Sequence, residues 1–390
     1  MNRASSECFG CRACEQVCIN NCINMVNDSE GFLIPIVNFS SCNKCGACIS
    51  KCPIERTDIP CESKCITYAM KIMNRDILKD SASGGAFPMI AITVLSKNGY
   101  VYGAAYCDEL YVKHIGINSI SELYKLQSSK YVQSDTGNTY IEVKEKLELN
   151  HYVVYSGTPC QIAGLRAFLG KDYERLLTVD IICHGTPSPL LFKKYLGFLE
   201  NKGKSKILRY NFRCKKLGWG LYYSYYFNRS DSITGAGRTD PYYKNFLLGN
   251  TYREICYSCK YANKNRVGDI TIGDYWGVEK HHPEFSTKDG VSLVIANTEK
   301  GRVFINEMKE HTHYLESNIN IASLENNNLY QPTNRPRLRN EIYNGILEMS
   351  DSQYIKQRLM PQITVVDKLR SYVPHLIINF YHTIKRFIVW

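Results

Sequence analysis

The stretch CFGCRACEQVC (8–18) places thiols at Cys8, Cys11, Cys14 and Cys18, and CNKCGACISKC (42–52) repeats the spacing with Cys42, Cys45, Cys48 and Cys52. Thiolates are soft metal ligands, and C-x2-C-x2-C-x3-C is the spacing that wraps a 4Fe–4S cubane. Three cysteines within seven residues curl one tight loop whose sulfurs converge. In two-cluster proteins the fourth cysteine reaches across to the other cluster. The repeat therefore predicts one cluster on Cys8, Cys11, Cys14 and Cys52, and a second on Cys42, Cys45, Cys48 and Cys18. The small residues Gly10, Ala13, Gly46 and Ala47 let backbone N–H groups approach the sulfurs, and such bonds tune a cluster's potential. Zinc favours two well-separated C-x2-C pairs and suits this spacing less. The second copy ends Cys52-Pro53, as the bacterial pattern does, whereas the first ends Cys18-Ile19. Cys22 falls outside the pattern and reads as a buried structural thiol. Cys61 and Cys65 take no place in it.

Further along, chemistry-bearing residues collect where strands give way to helices. SASGGAF (81–87) puts Ser81, Ser83, Gly84 and Gly85 before an apolar helix. Such a turn is either a cradle for a cofactor pyrophosphate or an ordinary cap. SGTPCQ (156–161) and ICHGTPSP (182–189) present Cys160 and Cys183 at strand ends, where open α/β sheets gather ligands. Cys256 and Cys259 form one C-x2-C pair, which is half a metal site. With Cys160 and Cys183 they are expected to hold a third cluster. A zinc pair or unrelated buried thiols are the alternatives, and Cys107 and Cys214 are the substitute ligands. Asp269 and Asp274 flank a strand and either orient a cofactor or cap turns. His184 either delivers a proton or is a structural imidazole. No Ser-His-Asp or paired-carboxylate pattern calls for hydrolysis.

These groups need a scaffold, and the chain is long enough to supply one. It has 390 residues, of which 44% are apolar, enough for a packed core. Cysteines total 17, an odd number; with no apolar leader at the start, a reducing cytoplasm that leaves thiols for metal is expected. Strands are predicted at 31–37, 99–106, 151–157, 176–183 and 291–298. Helices are predicted at 86–95, 161–170, 188–200 and 301–311. The alternation argues an α/β core, and YYSYYF (222–227) reads as a more exposed β segment. The fold expected is α+β: a ferredoxin-type module over 1–60, a mixed α/β core over 61–350 and an amphipathic helical tail over 351–390.

The motifs SASGGAF, SKYVQSD (129–135), SGTPCQIAGL, DIICHGTPSP, FRCKKLGWG (212–220) and CYSCKYANKNRVGDITIGDYWG (256–277) occur in an order that resembles the coenzyme F420 hydrogenase/dehydrogenase beta-subunit family, over roughly residues 8–340. The resemblance implies a flavoprotein binding FAD and at least one 4Fe–4S cluster in the core. It implies that the SASGG turn and Gly157, Thr158 and Gln161 help hold the flavin, and that Lys130 and Tyr131 lie near flavin or substrate. An oxidoreductase follows, with Lys130 and His184 as candidate catalytic groups and Asp274 as a candidate cofactor contact. Its substrate is a small molecule that exchanges hydride, and its partner a one-electron carrier or redox subunit. An electron-transfer subunit without its own substrate is the first alternative, and a zinc-stabilised binding module the second. The net charge of +11 comes from scattered basic residues, so nucleic acid is not an expected partner. The apolar spacing within 362–390 suits a helix that docks on protein or touches the inner face of a membrane.

Overall fold

The computed structural model describes residues 2–56, 65–228 and 231–372. Cys61 and residues 373–390 of the expected tail lie outside the described residues. Among the described residues no helix is long and apolar enough to cross a membrane.

The cysteine-rich start is built around an antiparallel hairpin of β1 (Ile23–Asn27) and β2 (Leu33–Val37), in register Ile23 to Val37 and Asn27 to Leu33. Each cysteine loop leads into a single helical turn, Ala13–Gln16 in the first and Ala47–Ser50 in the second.

The core is a mixed eight-stranded sheet. In chain order its strands are β3 (Ile66–Ile72), β4 (Tyr100–Tyr106), β5 (Val112–Ile117), β6 (Val153–Gly157), β7 (Leu176–Ile181), then β11 (Ile270–Asp274), β12 (Ser292–Ala296) and β13 (Thr312–Ser317). They lie in the order β13-β3-β12-β11-β7-β6-β4-β5. The central run β11-β7-β6-β4 is parallel and the outer pairings are antiparallel. Parallel strands need covered faces, and successive residues point to opposite ones. Val154 thus packs with Ile90, Val179 and Ile305 on one face, while Val153 and Tyr155 pack with Tyr140, Ile162 and Leu165 on the other. The helix Ala86–Leu95 belongs to the first layer and the helix Pro159–Leu169 to the second.

Strand β7 is pinned to β11 by buried charge. Asp180 accepts from Arg266 at 2.8 Å and from the amide N–H groups of Val267 and Gly268. Asp269 accepts from the N–H and hydroxyl of Thr178 and from Thr298. Burial alone would raise the Asp269 carboxyl; Arg166 and the Thr178 bonds outweigh it and hold the group below its ordinary value. Of the two uses open to Asp269 in the sequence, the fold shows the structural one.

A smaller sheet of β8 (Arg209–Asn211), β9 (Tyr222–Tyr226) and β10 (Ser232–Ala236) packs with the helices Pro189–Gly203 and Pro241–Leu247 around an aromatic core. The YYSYYF segment is less exposed than expected, because Tyr222, Ser224 and Tyr225 are buried there. The chain stays with this core through Tyr354, Ile355 and Leu359, all fully buried. A helix follows at Val365–Tyr372, its start fixed by Lys244, which donates to Asp367 at 2.7 Å and to the Gln362 carbonyl.

Candidate metal and cofactor centre

The two cysteine loops share one backbone shape. Gly10 and Arg12 in the first, Lys44 and Gly46 in the second, take left-handed conformations at matching positions. The Gly10 N–H donates to Cys8 Sγ at 3.2 Å, and the Lys44 N–H to Cys42 Sγ at 3.4 Å. Both loops thus turn amide hydrogens toward sulfur, an arrangement that favours thiolate ligands.

Cys8, Cys11, Cys14 and Cys52 line one small cavity of about 20 Å³. The chain therefore brings the last cysteine of the second motif to the first three of the first. Cys18, Cys42 and Cys48 gather with Cys22 in a cluster that also takes in Cys14, while Cys45 is exposed. Cys22 is indeed buried, yet it is not remote from the motif: its sulfur lies 3.2 Å from that of Cys18. Cys65 packs at the edge of the cluster around Ala69 and Tyr275, away from both sets. No three His, Cys, Asp or Glu side chains among the described residues are placed to share a single metal ion; a cubane, whose irons spread its ligands apart, does not require that.

The carboxyl ends of β6, β7 and β11 open onto a cavity of about 300 Å³, the position where α/β sheets bind ligands. Cys160, Cys183, Cys256 and Cys259 all line it. Cys160 opens the helix after β6, Cys183 follows β7, and the other two sit on the 3-10 turn Glu254–Ser258 and just beyond it. Cys107 and Cys214 do not line this cavity. Burial pushes the Cys160 thiol up to about 12 and the Cys256 thiol to about 11. Neither is a ready nucleophile, whereas a bound metal centre would stabilise both as thiolates.

The same cavity is lined by Ser81, Ser83, Gly85, Lys130, Tyr131, Gly157, Thr158, Gln161, His184 and Asp274. Gly84 is not among the lining residues. A Cβ there would meet the Met70 carbonyl at 2.3 Å and the Ser292 amide at 2.5 Å, so it is glycine because β3 and β12 crowd it. Gly85 is the N-cap of the helix Ala86–Leu95 and supplies no side-chain cap; the Ala86 N–H donates to the Ser292 hydroxyl at 3.4 Å, and Pro88 has no N–H to offer. The Ser81 and Ser83 hydroxyls instead donate to the carbonyls of Ile77 and Val291.

Thr158 and Gln161 serve each other. Gln161 Oε1 accepts from the Thr158 N–H at 2.9 Å and its hydroxyl at 3.1 Å, and Gln161 Nε2 donates to Ser134. They shape the wall more than they offer it polar groups.

FRCKKLGWG acts as a buttress behind the cavity. Arg213 grips Asp274 with both terminal nitrogens, and Trp219 Nε1 donates to the same carboxylate at 3.2 Å. Trp219 stacks on Trp276 at 4.9 Å, and Lys215 holds the Leu78 and Ser83 carbonyls at 2.7 Å each. Lys130 donates to the carbonyls of Gln127, Lys125 and Ser128, and burial pushes its ammonium down to about 7. His184 is exposed to the cavity, and its enclosure by protein pushes the imidazole below its ordinary value.

The cysteine loops and the cavity are joined. A Cβ at Gly164, on the helix that carries Cys160, would stand 3.0 Å from Cys11 Sγ. Phe9 lines the cavity and packs 5.5 Å from Tyr261. SKYVQSD makes contacts that its motif does not announce: Gln133 donates to the Phe9 carbonyl, and Asp135 forms an ion pair with Arg12. Arg12, Gln133, Asp135, Arg213, Lys215 and Arg253 are the site residues that sequence reasoning missed. All but Arg253 lay inside recognisable motifs, which was their only signal.

Residues 151–321 match the family described as the C terminus of the coenzyme F420 hydrogenase/dehydrogenase beta subunit, and residues 7–55 match the 4Fe–4S dicluster domain. The ferredoxin-type protein NapF of Haemophilus influenzae is 43% identical over 44 residues, 11% of this chain and 25% of that protein. The chain thus spans about a quarter of the length of the curated relative it matches. A chain of the F420-reducing NiFe hydrogenase complex from Methanosarcina barkeri is similar at 15% identity and a TM-score of 0.44, over 70% of this chain and 90% of that one. The chain therefore joins a segment that matches a 4Fe–4S dicluster domain to a region similar to the C terminus of the coenzyme F420 hydrogenase/dehydrogenase beta subunit.

Proposed function

We propose that the protein is an iron–sulfur flavoprotein oxidoreductase. It passes electrons between a small hydride-exchanging molecule in the cavity and a one-electron partner at the exposed cysteine loop. One observation carries the reading: a single cavity is lined both by the SASGG, SKYVQSD and SGTPCQ segments and by four cysteines, and the first cysteine loop packs on its rim.

The residues fit a flavin and clusters in kind. The glycine turn at Gly85 on the cavity wall suits the close approach of a pyrophosphate, and three sets of cysteines suit cubanes. Bound there, a flavin would exchange hydride as an electron pair and release it one electron at a time. The chain's own groups do the rest. Cys160, Cys183, Cys256 and Cys259 hold the core cluster beside the cavity. Cys8, Cys11, Cys14 and Cys52 hold the next, and Cys18, Cys42, Cys45 and Cys48 the outermost. Lys130 and His184 are cavity-wall groups able to hold or move a proton near neutral pH. Asp274 is held at a set place on that wall by Arg213 and Trp219.

Iron and flavin per chain, measured on anaerobically purified protein, test the reading. About twelve irons are expected, with about one flavin, and about eight irons in Cys256→Ser. Iron unchanged in that variant removes the core cluster. Bleaching of the flavin by a hydride donor in the isolated chain supports an enzyme; bleaching only with an added redox partner supports an electron-transfer subunit.

A further inference from the structure

We infer that Arg253 is the shared counter-charge of the inner two clusters and sets their reduction potentials. The inference rests on the proposed ligand sets, so its test also reads iron content. Four arginines are buried among the described residues: Arg213, Arg253, Arg266 and Arg339. Three of them face a carboxylate, Arg213 with Asp274, Arg266 with Asp180 and Arg339 with Glu30. Arg253, only 1% exposed, does not. It donates to the Cys8 carbonyl, to the Leu33 carbonyl at 3.0 Å and to Gln133 Oε1 at 3.4 Å, and lies over the Phe32 ring at 5.3 Å. All of these partners are neutral.

A buried cation facing only neutral groups is costly, because hydrogen bonds alone do not replace the solvation of a full charge. The groups that would turn anionic on binding a cluster come from two different sets beside it: Cys8, whose carbonyl it bonds, on one side, and Cys160 and Cys256, which line the same cavity as Arg253, on the other. Its backbone belongs to the core, bonded to Thr186 and Cys256, while its guanidinium reaches across to the ferredoxin-type module. Clusters held by four thiolates are net anionic, and reduction adds further negative charge. A fixed positive charge between two of them favours the reduced form of both. None of the four buried arginines serves the outermost set in this way.

The test is a redox titration, followed by electron paramagnetic resonance, of the full-length protein carrying its clusters. The outermost signal is assigned by its absence in Cys45→Ser. Arg253→Gln is expected to move both inner clusters to more negative potential, by at least a tenfold change in the reduced-to-oxidised ratio, about 59 mV for a one-electron couple. The outermost potential is expected to stay. Arg253→Lys, which keeps the charge and loses the fork, is expected to stay near the unsubstituted values. Unchanged potentials in Arg253→Gln overturn the inference, as do equal shifts in the Gln and Lys variants, which would make Arg253 a mechanical rivet. Gln133→Glu supplies a carboxylate to the same guanidinium and is read if Arg253→Gln does not fold. It must also lower both inner potentials, and no shift overturns the inference. Fewer than about twelve irons in the unsubstituted protein would mark failure of the ligand assignment instead.

Discussion

The two cysteine loops have the same spacing, the same left-handed turns and the same N–H to sulfur bond, yet opposite surroundings. The first is walled in: Cys11 and Cys14 are buried, Phe9 packs against Tyr261, and Arg12 is tied to Asp135 of the core. The second faces out. Cys45 is exposed, Ile49 is half exposed, and from residue 31 to residue 54 the only charged residues are Lys44 and Lys51. Spacing decides what a loop can bind; what packs around it decides whether it relays electrons or delivers them. Under the proposed function the inner loop would relay, and the outer one would meet a partner whose docking face is neutral or acidic.

The largest expected effect comes from removing one ligand at a time. Cys11→Ser and Cys45→Ser should each cost about four irons. Only the first should stop electrons at the core cluster. In the second, the inner cluster should still be reduced from the cavity while delivery to an external acceptor is lost. Rapid-mixing absorbance on both variants checks this, and identical behaviour would remove the distinction between relay and outlet.

Packing sharpens the same contrast. Gly164→Leu would drive its side chain into Cys11 Sγ and Tyr140 Oη, 3.0 and 2.9 Å from an ideal Cβ. Overpacking of this kind costs about 1–3 kcal/mol, and it should slow transfer between core and module with iron retained. Gly46→Ala in the outer loop meets nothing within 4 Å and carries only left-handed strain, about 1–2 kcal/mol. Thermal melting together with transfer rates checks the pair: both should melt earlier, and only the Gly164 variant should slow transfer.

The smallest effect expected is a pH dependence confined to the cavity. Burial holds Lys130 down to about 7, against about 10.4 for a free lysine. It is cationic below that value and loses its charge as pH rises through it. Flavin quenching on binding should therefore weaken between pH 6 and 9, and the dependence should flatten in Lys130→Met. The empty chain should behave oppositely: a depressed lysine pKa destabilises the fold at low pH, and the penalty shrinks above about 7.

Much of this site was legible in the sequence for a local reason. Ligand spacing in a cubane loop is set within seven residues, and strand-to-helix turns carry their glycines and cysteines with them. The segments bearing Cys160 and Cys183 were readable because the parallel strands β6 and β7 end on one edge, and Cys256 because it is paired with Cys259. The pairing of Arg253 with Cys8, or of Arg12 with Asp135, joins residues more than 120 positions apart, and no local pattern encodes it. Thr158 and Gln161 line the cavity and also form a capping box, because a helix cap and a ligand contact use the same residue types. The outer strand β13 and the interior strand β3 went unread; β3 is buried along nearly its whole length and lacks the alternation that reveals a strand with one wet face.

Cys52 stands with Cys8, Cys11 and Cys14, although the chain reaches it last. On the proposed ligand sets, the first loop leaves the ribosome with three of its cluster's four ligands, and Cys52 follows later. Neither motif can complete its set alone, since each waits for the tail of the other. On the proposed ligand sets the module would mature as one piece, before the helix bearing Gly164 closes over Cys11. A delivery system that arrives after that closure would find the inner site sealed and the outer one still open.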